Sequence, residues 1–131
     1  MLKRSPKSVF KISAGSGNHK ITMTLIPTDS GVVATILGGD RPHIGTVAIA
    51  IPRPSLKNPK MTSSTSSVMN LVGHKDDEIA KPISEKIAES LNLVAVVVAG
   101  VHIKNADSDD IKSLVSNSMK CAEKAIAILK T

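Results

Sequence analysis

Gly38-Gly39-Asp40-Arg41-Pro42-His43-Ile44-Gly45 separates two strongly apolar segments, Val32 to Leu37 and Val47 to Ile51. Read as the link between two adjacent strands, it makes the first half of the chain a run of consecutive antiparallel strands. A hairpin can be closed with far less. Glycine supplies positive φ or a close backbone approach, and Pro42 holds one φ and removes a donor. A guanidinium, a carboxylate and an imidazole remain together at the tip. Two readings stay open: Gly38 and Gly39 serve a turn or bulge with His43 in water, or the loop carries a site.

Upstream, Ser8 to Ala14 and the alternating segment Lys20 to Pro27 read as two antiparallel strands joined by Ala14-Gly15-Ser16-Gly17-Asn18. Thr28-Asp29-Ser30-Gly31 is a turn leading into Val32 to Leu37, whose β-branched density predicts a strand buried on both faces. With Thr46 to Ile51 the four strands form an antiparallel meander. Pro52 to Ser67 holds three prolines and a Ser/Thr run, and is expected to be a long surface loop (52–67), either mobile or a binding lid. Ser67 to Val72 adds a short fifth strand.

Downstream, Asp76 or Asp77 caps a helix running to about Leu91, with Ile79, Ile83, Ile87 and Leu91 as its apolar stripe. Pro82 predicts a loose first turn, regular only after Ile83. Leu93 to Ile103 reads as a central strand. Ser108 caps a last helix with Asp109 and Asp110 in its first turn, favourable to the dipole. The order is an α+β pattern: a single domain spanning residues 1–131, with an antiparallel or mixed sheet of about five to six strands and two helices packed on it.

The composition supports one domain. The chain has 131 residues and is 41% hydrophobic, yet Phe10 is its only aromatic, so base stacking on aromatic platforms is not available. Lys and Arg outnumber Asp and Glu by 17 to 11, a net charge of +6 that suits an anionic partner. The basic residues are dispersed, with a loosely ordered basic N-terminus at 1–7, and do not line one helix face. No nucleic-acid role is expected. Cys121 is the sole cysteine and reads as core, which excludes an intrachain disulfide and suits a reducing compartment. No segment has signal-peptide or membrane-spanning length, so a cytoplasmic protein with no membrane association is expected.

His43, His74 and His102 each fall at an element boundary beside glycine, and are expected on one rim of a single pocket. Their spacing matches no metal-ligand pattern, and no metal site is assigned. A phosphate site has more support. His74, Lys75 and Asp76 lie at the start of the first helix, and Gly38 and Gly39 offer backbone amides. The candidate cofactor-binding set is Gly38, Gly39, Arg41, His43, Gly45, His74, Lys75, Asp76 and His102. No catalytic residue is assigned.

Three segments carry a family resemblance: Gly38-Gly39-x-x-Pro42-His43-Ile44-Gly45-x-Val47, Gly73-His74-Lys75-Asp76 before a helix, and Ala99-Gly100-Val101-His102-Ile103 before a second helix. Together, from about Val33 to Ser116, they resemble the small LpdD-like prenylated flavin chaperones that accompany hydroxyarylic acid decarboxylases. The resemblance implies an accessory protein that binds or delivers prenylated FMN, or FMN, to the large subunit of a UbiD-type decarboxylase. It implies no decarboxylation by the chain itself. The alternative is a small enzyme using His43, His74 or His102 as acid or base on a flavin or phosphorylated substrate. A homodimer or higher oligomer is expected, because a four-stranded meander has an edge that must be paired or covered.

Overall fold

The structure, a computed structural model, describes residues 8–71 and 76–130. It is a single α+β domain with six strands: β1 (Phe10–Ala14), β2 (Ile21–Pro27), β3 (Gly31–Gly39), β4 (Thr46–Pro54), β5 (Thr62–Asn70) and β6 (Val94–His102). Two helices, α1 (Asp77–Leu91) and α2 (Ser108–Lys130), complete it.

The strands form one mixed sheet in the order β1-β2-β3-β6-β4-β5. The expected four-strand meander is therefore wrong. The strand β6 lies between β3 and β4, parallel to the first and antiparallel to the second. Its sequence explains the position: Val94 to Val101 contains no polar side chain, and such a segment gains most with a partner on each side. The strands β3 and β4 are separated by one strand, and the link between them is a bridge across the end of β6.

Both helices pack on one face. Ile21, Met23, Leu25, Ile36 and Val97 are fully buried beneath them, with Ile83 and Ile87 from α1 and Cys121 and Ala125 from α2. Each large aliphatic side chain removed from water here contributes about 1.5–3 kcal/mol. The opposite face carries Val33, Thr35, Val94, Val96, Val98 and Ile49, all partly exposed. The strand from Val32 is thus buried on one face and not on both, and its β-branched density reflects pairing in mid-sheet.

Residues 52–67 are not a long loop. The strand β4 runs on through Pro54, a short turn follows, and β5 begins at Thr62 and pairs with β4 from Pro54↔Thr62 to Thr46↔Asn70. Prolines are tolerated here because β4's other neighbour, β6, pairs only as far as Ala50. The hydroxyls of Ser64 and Ser66 donate to Glu89 Oε2 (2.6 Å) and Glu85 Oε2 (3.0 Å) of α1, while Thr65 and Ser67 are exposed. A Ser/Thr run alternates in space without alternating in hydropathy, which hides it as a strand.

Two helix expectations also change. The helix α1 is continuous through Pro82, whose ring lies on the exposed side. It ends at Asn92, left-handed at φ 53°, whose N–H donates to the Ala88 carbonyl. The cap of α2 is Asp107, not Ser108. Asp107 Oδ1 accepts from the Asp110 amide at 2.8 Å, and Asp110 Oδ2 accepts from the Asp107 amide at 3.0 Å, a reciprocal box with aspartate in both roles.

Candidate functional site

Because β3 and β6 are parallel, their C-terminal ends lie together, and β4 starts at the same end of the sheet. The chain leaves β3 at Gly39, left-handed at φ 79°, with the carbonyl of its register partner His102 where a Cβ would sit. That carbonyl accepts from the amides of Asp40 (2.7 Å) and Arg41 (3.3 Å). The loop then crosses β6 and rejoins the sheet where the Gly45 amide donates to the Ala99 carbonyl at 2.9 Å. Asp40 Oδ2 accepts from the Lys104 amide at 3.2 Å, tying the loop to the turn after β6.

At the crest of this bridge stands a buried pair. Asp76, 6% exposed, occupies the residue before α1, and its backbone carbonyl accepts the amides of Ile79 (3.0 Å) and Ala80 (2.9 Å). Its carboxylate is used elsewhere: Oδ1 accepts the Val101 amide at 3.0 Å, and Oδ2 lies 3.2 Å from His43 Nε2. The other ring nitrogen of His43 lies 3.0 Å from the Arg41 carbonyl. A Cβ on Gly45 would collide with the Asp76 carboxylate, so that glycine is required by the pair. Asp76 thereby joins the loop, β6 and α1 through one side chain.

His102 stands edge-on to His43, with ring centroids 6.4 Å apart and an interplanar angle of 81°. Its side chain is exposed, whereas that of His43 is 17% exposed. Behind His102 lies a cavity of about 300 Å³ between the start of α1, the end of β6 and the first turns of α2. Its aliphatic lining is Ile79, Val101, Ile103, Ile111, Leu114 and Val115, with Ala106 at the turn; Asp76, Glu78 and His102 supply the polar groups. Ile111, in the first turn of α2, is 47% exposed.

Of the residues singled out from sequence, the structure brings Gly39, Arg41, His43, Gly45, Asp76 and His102 to this end of the sheet. Gly38 belongs to strand packing, since a Cβ there would meet Lys20 and Ile21 of the neighbouring strand. His74 and Lys75 lie outside the described residues. Of the three histidines expected on one pocket rim, His102 lines the cavity, His43 stands against His102 without lining it, and His74 is not among the residues described. Among the described residues, no three His, Cys, Asp or Glu side chains stand as a metal-binding group.

The reading of the sequence missed the cavity's aliphatic wall, because Val101, Ile103, Leu114 and Val115 look like core residues in any periodicity. It also passed over His19. That ring lies 2.7 Å from Asp110 Oδ1, and its hydrogen bond holds the Asp110 carboxyl below the usual carboxylate range, with the Asp107 backbone contact adding to the effect. The contact fastens the link between β1 and β2 to the start of α2. Cys121 is buried as expected, and that burial pushes its thiol up.

Comparison with known proteins agrees with this architecture. A chain in the crystal structure of a chaperone complex for yeast 20S proteasome assembly is 17% identical, with a TM-score of 0.54 over 93% of this chain and 95% of that one. At that identity the likeness is one of fold. No curated protein matches the chain. No helix among the described residues is long and apolar enough to cross a membrane. Residues 15–130 match the prenylated flavin chaperone LpdD-like domain, and with nearly the whole chain so covered, the protein belongs to the LpdD-like prenylated flavin chaperone family.

Proposed function

We propose that the chain binds prenylated flavin mononucleotide at the bridged end of the sheet and hands it to a UbiD-type decarboxylase without itself catalysing decarboxylation. One observation carries this reading in a chain of this family: the aliphatic cavity of about 300 Å³ that opens beside His102. A wall of Ile, Val and Leu suits the added apolar ring of such a cofactor. The volume lies at the lower end of small-molecule sites, enough for the ring system but not for the ribityl phosphate as well. The phosphate belongs at the mouth, on the side of Arg41, His102 and the Lys104 turn, away from Glu78. The single thiol of Cys121 suits a reducing cytoplasm.

The acid–base alternative is disfavoured by His43 itself. Both of its ring nitrogens face oxygen atoms of the protein, at 3.0 and 3.2 Å, so the ring is committed to holding the bridge. His102 is the imidazole placed to meet a ligand.

Co-expression with a flavin prenyltransferase, followed by the absorbance spectrum of the purified protein, tests the reading. Wild type should carry a flavin chromophore. Ala106→Trp and Val115→Trp, which fill the cavity, should lose it while keeping their circular dichroism. A wild type that binds no flavin, alone or with a decarboxylase, or filled-cavity variants that bind it as well as wild type, overturns it.

A further inference from the structure

We infer that the helix-free face of the sheet is the contact surface for a second copy of this chain, packed face to face about a twofold axis between β3 and β6. Val33 pairs with Val96, and Val96 with Ile49, so three aliphatic side chains from three adjacent strands form one row. Thr35, Val98 and Val47 form the next row. Val47 is 38% exposed, Ile51 51%, Ile26 42% and Met69 73%. Among the described residues no element packs on this side, since α1 lies against β4, β5 and β6, and α2 against β1, β2 and β3, on the other.

Size and composition select the occupant. Six strands at about 4.8 Å spacing and seven residues at about 3.3 Å rise give a footprint on the order of 600 Å². Side-chain relief raises its accessible area toward the roughly 800 Å² per partner of a stable interface. Its centre on β3, β6 and β4 is aliphatic, and the outer strands surround that centre with Ser13, Thr22, Thr24, Thr65 and Ser67, the apolar core and polar rim of an interface. That centre carries no aromatic anchor and no charge on β3 or β6, which suits pairing with an identical aliphatic surface. The charges Lys11 and Arg53 lie only at the rim. Two copies of a chain of net charge +6 meeting across this neutral centre bring no like charges into direct contact there. A twofold axis along the strands lays the Lys11 edge of one copy over the neutral β5 edge of the other, and two twisted sheets pack in this manner about 10 Å apart. The sequence pointed to self-association through an open strand edge; the contact proposed lies on a face instead.

Sedimentation velocity of the full chain at micromolar concentration should give a dimer. The triple variant Val94→Thr, Val96→Thr, Val98→Thr keeps shape and strand propensity but loses the apolar gain, and should weaken dimerisation by about 100-fold or more. Val96→Arg should be monomeric. Val96→Cys should form a linked dimer with a short bismaleimide, Cys121 being buried. A monomeric wild type overturns the proposal, as does a dimer indifferent to the threonine and arginine substitutions or a Val96→Cys dimer that the reagent fails to link. A face that binds only the decarboxylase would leave the wild type monomeric when alone, and counts against it equally.

Discussion

The backbone carbonyl of His43 occupies the space a Cβ on Gly100 would need. The bridge from β3 to β4 can cross β6 at van der Waals distance only because residue 100 has no side chain. The motifs around His43 and His102, nearly sixty residues apart, are therefore two halves of one crossing.

Gly100→Ala should destabilise the domain by on the order of 1–3 kcal/mol, because the obstructing atom is backbone and cannot rotate away. Gly17→Ala is the comparison. Nothing lies within 4 Å of its Cβ, and only its φ of 58° opposes the change, so about 1 kcal/mol or less is expected. Urea denaturation of the two variants checks the ranking.

The contact of His43 with buried Asp76 makes this loop side chain part of the fold. Asp76→Ala leaves the Val101 amide without its acceptor and should cost about 1–3 kcal/mol. His43→Ala should cost a similar order, and the double variant less than the sum, since one contact is lost in both. His102→Ala, at an exposed ring, should leave stability nearly unchanged. Thermal unfolding of the four variants tests this.

The His19–Asp110 contact predicts a specific acid response. Asp110 titrates below its ordinary 3.8 in the folded protein, chiefly because of the hydrogen bond from His19. A depressed folded-state pKa contributes stability that is present above the unfolded value and lost as pH falls through the folded one. The contribution should therefore be present above about pH 4 and fade below it. In His19→Ala the Asp110 carboxyl should titrate closer to 3.8, as followed by NMR. An unchanged titration would show that the contact does not operate in solution.

Cys121 is fully buried, and its Sγ faces the carbonyls of Ile12 (3.9 Å) and Ile21 (3.8 Å). With the thiol pushed up by burial, native protein should react with a disulfide reagent at pH 8 roughly 100-fold more slowly than urea-unfolded protein. Equal rates would contradict the placement.

Local chemistry determined much of this protein. The alternation of Ile21, Met23 and Leu25 and the stripe of Ile79, Ile83 and Ile87 each declare an element and its inward face, and the density of aliphatic residues from Val94 to Val101 declares a strand. The α+β class follows, whereas the meeting of the Gly38–Gly45 segment and His102 at one end of the sheet depends on β6 pairing parallel to β3. Strand order was decided only in three dimensions. Sequence-adjacent strands are the default expectation, and insertion of β6 between β3 and β4 depends on which neighbours let the most apolar strand pair on both edges. The β5 strand stayed hidden because serine and threonine give no hydropathy contrast between faces. The Asp76 carboxylate read as a helix cap because proximity along the chain favours it, whereas the bridge holds His43 and the Val101 amide within its reach. The cavity is likewise tertiary: its aliphatic wall has the same residue types as the core, and only the relative placement of α1, β6 and α2 leaves space between them.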